Sequence, residues 1–136
     1  MNADGTLAVP PPGPDLNKVA WYRGSVTPGT AGPSVLEGHV DTTQGPSIFF
    51  RLGDTRLGDT IVITRADRST ATFTVNAVRS YATHADFPVA QIFGADPAYS
   101  TLRLITCGNF DSSTGHYLGN TVVFAHITGA HHASTP

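Results

Sequence analysis

Apolar and polar residues alternate without a break from Ala71 to Ala77 (ATFTVNA), the pattern of a strand with one buried face. Asp59 to Arg65 (DTIVITR) precedes it, and the turn-forming run Ala66-Asp67-Arg68-Ser69-Thr70 joins the two as a hairpin. Val35–Val40, Thr101–Cys107 and Thr121–Ile127 read as three more strands, and Val19–Arg23 as another. Thr121–Ile127 is apolar toward both sides, which predicts a central strand. Helical patterning is scarce. Only Ser47–Leu52 and Asp86–Phe93 carry it, both short, with Pro46 and Asp86 suited to helix starts. No repeat of solenoid length is present.

These elements sit between two different ends. Residues 1–16 contain Val9-Pro10-Pro11-Pro12-Gly13-Pro14, which predicts an extended lead-in. Residues 129–136 are small and polar and read as a tail. That leaves 17–128 as the folded part. Short strands broken by Gly and Pro turns predict one mostly-β domain, a small sandwich or barrel.

Composition narrows the function classes. The 136 residues include Gly 14 and Pro 10, and only 13% are charged, which excludes a helix bundle or coiled coil. Lys and Arg number 8 against 10 Asp and Glu, a net charge of -2, so there is no electrostatic footprint for nucleic acid. No apolar run is long enough for a membrane span or a signal peptide. A single Cys excludes an internal disulfide and a multi-Cys zinc site, and no pair of His has metalloprotease spacing. No metal or other cofactor is expected. Small molecules, peptides or proteins remain as partners.

The one Cys is the residue to explain. In Leu102-Arg103-Leu104-Ile105-Thr106-Cys107, period-two geometry sends Arg103, Ile105 and Cys107 to one face. Cys107 would end the strand, next to a Gly that lets a ligand approach the backbone. Read alone, the segment also fits a buried inert Cys, the commoner fate of a lone cysteine. His39, in Leu36-Glu37-Gly38-His39-Val40-Asp41, lies at the end of another short strand. An imidazole there would raise the thiolate fraction of Cys107 or protonate a leaving amine, and Asp41 on the same side would orient the ring. Taken alone, those two residues are better explained as a rim His beside a solvated Asp. His84 and His116 fall in loops, His126 in an apolar strand, and His131 and His132 in the tail. The run from Gly108 to Gly115 reads as a loop returning the chain to the last strand, without the acidic repeat a calcium site needs.

Three segments together resemble the sortases, cysteine transpeptidases of Gram-positive bacteria, and most nearly their actinobacterial class F. They are Gly38-His39-Val40-Asp41 with Gly45-Pro46-Ser47-Ile48-Phe49-Phe50-Arg51-Leu52; Leu57-Gly58-Asp59-Thr60-Ile61-Val62; and Leu102–Gly108 with Asn120-Thr121-Val122-Val123-Phe124-Ala125. Their order and spacing agree over residues 17–128. The resemblance implies a closed eight-stranded β-barrel with one or two short helices, with Cys107 and His39 facing each other at one end. It implies that the Cys107 thiolate attacks the Thr carbonyl of an L-P-x-T-G-like sorting signal, and that His39 protonates the departing Gly amine. An amine from the cell wall or a pilin then resolves the thioester. Hydrolysis by water is the slow alternative. A thioester holds the peptide-bond energy until the second amine arrives.

Two departures stand out. Sortases generally place an Arg at the start of the strand after the Cys loop, aimed at the oxyanion. Aligning Val122–Ala125 with that strand puts Asn120 at the Arg position, with Leu118 as the neighbouring alternative, and no Arg follows Arg103. The oxyanion would then be held by the Asn120 amide, by backbone N–H groups, or by Arg103, which shares the strand face of Cys107 but lies two pleats back. Thr106, inside the L-x-T-C motif, is a further supporting residue. The second departure is that Met1 leads straight into a linker-like stretch, where family members carry a membrane anchor and work on the outer face of the membrane. Two other readings compete with the transpeptidase: a sortase-fold module that binds sorting-signal peptides with little turnover, and a purely hydrolytic cysteine peptidase.

Overall fold

The computed structural model describes residues 19–22, 24–42, 45–83 and 99–131. Eight strands lie among them: β1 (Ala20–Trp21), β2 (Gly32–Glu37), β3 (Asp41–Thr42), β4 (Gly45–Pro46), β5 (Thr60–Thr64), β6 (Thr70–Tyr81), β7 (Ser100–Asp111) and β8 (His116–His131). Six form one sheet in the order β1-β2-β7-β8-β6-β5, and β3 with β4 makes a separate two-stranded ribbon. The β5–β6 hairpin and the central place of β8 are as the patterning predicts.

The sheet curls into a half-barrel. Among the described residues the edge strands β1 and β5 are not hydrogen-bonded to each other, and the eight strands are split six and two. Residues from both edges, including Trp21, Ile61 and Ile63, line a trough of about 760 Å³ inside the curl. Phe73 and Leu102, with no exposed surface, anchor the inner face beside Leu36, Phe49, Leu52, Leu104 and Val123. Burying side chains of this size stabilises the fold by roughly 1.5–3 kcal/mol each. The outer face of the sheet carries a second apolar cluster, Val35, Ile105, Val122 and Phe124, with Tyr22, Ala77 and Tyr81 packed against it.

Several expected boundaries shift. β2 begins earlier than Val35 and ends at Glu37, so His39 lies just past the strand. Ser47–Leu52 forms successive turns, and the only helical turn among the described residues is a 3-10 helix over Leu52–Asp54. Gly45 and Pro46 pair with Thr42 and Asp41, which draws the preceding residues into a ribbon rather than a helix start. β7 runs four residues past Cys107, because Gly108, Phe110 and Asp111 pair with Gly119, Tyr117 and His116. The expected loop shrinks to a turn held by Asp111, whose carboxylate accepts from Ser113 and Thr114. His116 therefore starts a strand, and His126 lies exposed, its ring meeting Asn76. β8 continues through residues read as tail, with Gly129 and Ala130 paired to Thr72 and Ala71. The helix expected over Asp86–Phe93, the lead-in over 1–16 and His84 lie outside the described residues. No helix among the described residues is long and apolar enough to cross a membrane.

Candidate active site

The site is built where β2 stops. β2 and β7 are parallel neighbours, with Glu37 level with Ile105. Gly38 extends the contact by donating its N–H to the Ile105 carbonyl at 3.1 Å. Its own carbonyl accepts from the Thr106 hydroxyl at 2.7 Å, a bond between residues 68 positions apart. A Cβ on Gly38 would stand 2.8 Å from Ile48 and 2.9 Å from Phe49, so glycine is what lets the backbone pass. Beyond it, the His39 carbonyl accepts from Phe49 N–H and the Val40 carbonyl from Ser47 N–H, both at 3.0 Å. The backbone of His39 is thus fixed on both sides. His39 stands two residues past Glu37, the last paired residue of β2, and Cys107 two residues past that residue's partner, Ile105, on β7.

Cys107 has Asn120 directly across from it on β8, and Asn120 has Tyr81 across from it on β6. Cross-strand partners share a face, so Tyr81, Asn120 and Cys107 form one row across the outer side of the sheet. Asn120 is buried, and its amide donates to the Thr106 carbonyl at 3.5 Å, the outer limit of a hydrogen bond. Leu118, one pleat further along β8, is exposed. Cys107 is half-buried. Burial, and secondarily the Asp41 carboxylate, push its thiol above the ordinary value.

Asp41 has a neighbour that the sequence did not announce. Its carboxylate accepts from the Tyr117 hydroxyl, whose pKa burial and this bond push up to about 12. Asp41 thereby faces Tyr117 and Cys107, a link that strand parity does not reveal because Tyr117 arrives from the far arm of the β7–β8 hairpin. Arg103 also stays away from the sulfur. Four residues, about 13 Å of extended strand, separate the two. Its guanidinium lies over the Phe124 ring at 4.7 Å and donates to the Leu102 carbonyl at 3.2 Å. Patterning also gives no warning of Glu37. Its carboxyl is 3% exposed on the outer face, with Oε2 unpartnered, and burial pushes its pKa to about 7.

A half-buried thiol, an imidazole-bearing loop pinned to the adjacent strand and an amide opposite the sulfur are the parts of an acyl-transfer site. The family model of the sortase domain matches residues 4–128. The chain belongs to the sortase family. No curated protein matches it. Among solved sortases, sortase A from Corynebacterium diphtheriae is 25% identical, with a TM-score of 0.65 over 82% of this chain and 48% of that one. The SrtA sortase from Actinomyces oris is 22% identical, with a TM-score of 0.69 over 87% of this chain and 66% of that one. Sortase C-1 from Actinomyces oris is 20% identical, with a TM-score of 0.67 over 82% and 58%. This sortase chain therefore spans about half to two thirds of the length of these relatives.

Proposed function

We propose that this sortase is a cysteine transpeptidase that cleaves an L-P-x-T-G-like sorting signal between Thr and Gly and passes the acyl group to an amine. The observation that carries the reading is that the segment bearing His39 leaves β2 pinned to β7, the parallel neighbour that bears Cys107, through the Gly38–Ile105 and Thr106–Gly38 bonds, with Asn120 opposite the sulfur. Because burial and Asp41 favour the protonated thiol, the sulfur must lose its proton as it attacks. His39 takes that proton while sulfur bonds to the Thr carbonyl carbon. As the C–N bond breaks, His39 returns it to the Gly nitrogen. An incoming amine then attacks the thioester, the C–S bond breaks, and its surplus proton goes back through His39 to sulfur. The oxyanion formed in each half is held by the Asn120 amide. Its long bond to the Thr106 carbonyl gives up little when the amide turns, and such a donor contributes about 3 kcal/mol. Thr106 and Asp41 act indirectly, the first by holding Gly38, the second by setting the thiol's proton affinity. Class F character, an acceptor from the cell wall or a pilin, and work at the outer face of the membrane belong to the same reading.

Incubation with an L-P-x-T-G-type peptide and a Gly-type amine, followed by mass spectrometry, tests it. The expected result is an adduct on Cys107 and a product containing the amine. Cys107→Ala and His39→Ala should each abolish turnover. Products lacking the amine would make the protein a hydrolytic peptidase, and intact peptide binding without any adduct would leave only a binding module.

A further inference from the structure

A second polar site lies on the Cys107 face, away from the sulfur. The β-bulge at Asn76 shifts the register of β6 against β8, so that Ala77 pairs with Phe124, Arg79 with Val122 and Tyr81 with Asn120. Arg79 and Tyr81 therefore join Arg103 on the outer face. Asn76, Ala77, Arg79, Arg103 and Phe124 line a cavity of about 320 Å³. Arg103 is 8% exposed, and its Nε is buried without a hydrogen-bond partner. Phe124 covers the face of the guanidinium and the Leu102 carbonyl takes one N–H. The Tyr81 hydroxyl lies within electrostatic reach of both arginines, and burial pulls the Arg103 pKa below its ordinary value. Among the described residues lining this cavity there is no acid. An adjoining groove shares Asn76, Ala77 and Arg79 and ends at Arg56, so the basic lining continues.

A buried guanidinium with an orphan donor lacks an anion. Its Nε–H edge is one of the two that grip a carboxylate in parallel hydrogen bonds. Four residues of β7 separate Arg103 from Cys107, and a peptide lying extended along the sheet rises at the same rate. We propose that this cavity is a subsite for a carboxylate carried by the peptide substrate, about four residues from the reacting carbonyl, with Arg103 as principal donor and Arg79 beside it. The inference rests on Cys107 being the acylation site.

The test is equilibrium binding of labelled peptides to the Cys107→Ala protein. Each peptide carries one Glu, placed four or five positions before the Thr of an L-P-x-T-G core or three to five positions after it, and is compared with its Gln counterpart. One placement should favour Glu by about tenfold or more. Arg103→Gln should reduce that ratio to near one. The exposed Arg79→Gln, which leaves the packed face alone, should reduce it by about threefold, and melting temperatures separate folding from recognition. Equal affinities for Glu and Gln at every placement, no binding by any peptide, or a preference that survives Arg79→Gln together with a folded Arg103→Gln would overturn the proposal. Tight binding of inorganic phosphate with no Glu preference would overturn it in favour of a phosphoryl ligand. Failure of Cys107 to acylate in the intact enzyme is a separate result, and sinks the transpeptidase reading instead.

Discussion

In the proposed reaction Cys107 starts as a thiol, and that has a measurable signature. Alkylation by iodoacetamide should climb steadily with pH through neutrality, because burial and then Asp41 hold the thiolate fraction low. Asp41→Asn removes the negative charge and lowers the thiol's pKa, so alkylation at pH 8 should speed up by about two- to fivefold. A slower reaction would mean that Asp41 acts on something else. Asn120→Ala should lower turnover by about 10²–10³-fold with little change in peptide affinity. A loss below threefold would hand the oxyanion to backbone N–H groups, since Arg103 is committed to Phe124. The pairing of Cys107 with Asn120 was reached through the resemblance to the sortases, with Leu118 as the alternative; the Gly108–Gly115 run, read as a loop, did not give the register, because β7 continues through it to Asp111. The Asp41–Tyr117 contact was not legible: it depends on where a ribbon and a hairpin tip meet in space, and neither carries a local signal.

Among the elements, β5 and the first half of β6 follow their hydrophobic alternation closely, with Ala71, Phe73 and Val75 all buried. The second half does not. Strict alternation carries Ala77, Arg79 and Tyr81 to the inner face, and the bulge at Asn76 sends them outward while Val78 packs inside. One unpaired residue thus decides which side chains reach the Cys107 face, and a period count cannot see it. The end of β2 has a different cause. Residues 38–40 look like strand, but their carbonyls are taken by Thr106, Phe49 and Ser47 instead of by a sheet neighbour. Gly38→Ala should therefore cost about 1–3 kcal/mol in chemical denaturation and depress turnover further than that loss explains, because the displaced segment carries His39. A fully active, equally stable variant would show that the loop yields without moving the imidazole.

For the molecule as a whole, Glu37 ties stability to pH in an unusual direction. The unfolded chain ionises this residue near the ordinary 4.5, and the folded protein near 7, because burial disfavours the charge. Between those values the native state holds the extra proton, so stability falls as pH rises, by on the order of 3 kcal/mol at most. Glu37→Gln should flatten that slope and stabilise the protein at pH 8 more than at pH 5, as read from denaturant midpoints at the two pH values. An unchanged slope would mean that another group titrates there. The hydroxyl-to-carbonyl bond between Thr106 and Gly38 bears on assembly. It joins two parallel strands whose chain connection includes β5 and β6. Parallel neighbours cannot be closed by a tight turn, so the reactive end of the sheet is a late, long-range product of folding. Chain breaks or insertions in the β5–β6 turn, remote from the sulfur, can leave two complementary fragments, and recovery of thiol reactivity on mixing them would report when the whole sheet has reassembled.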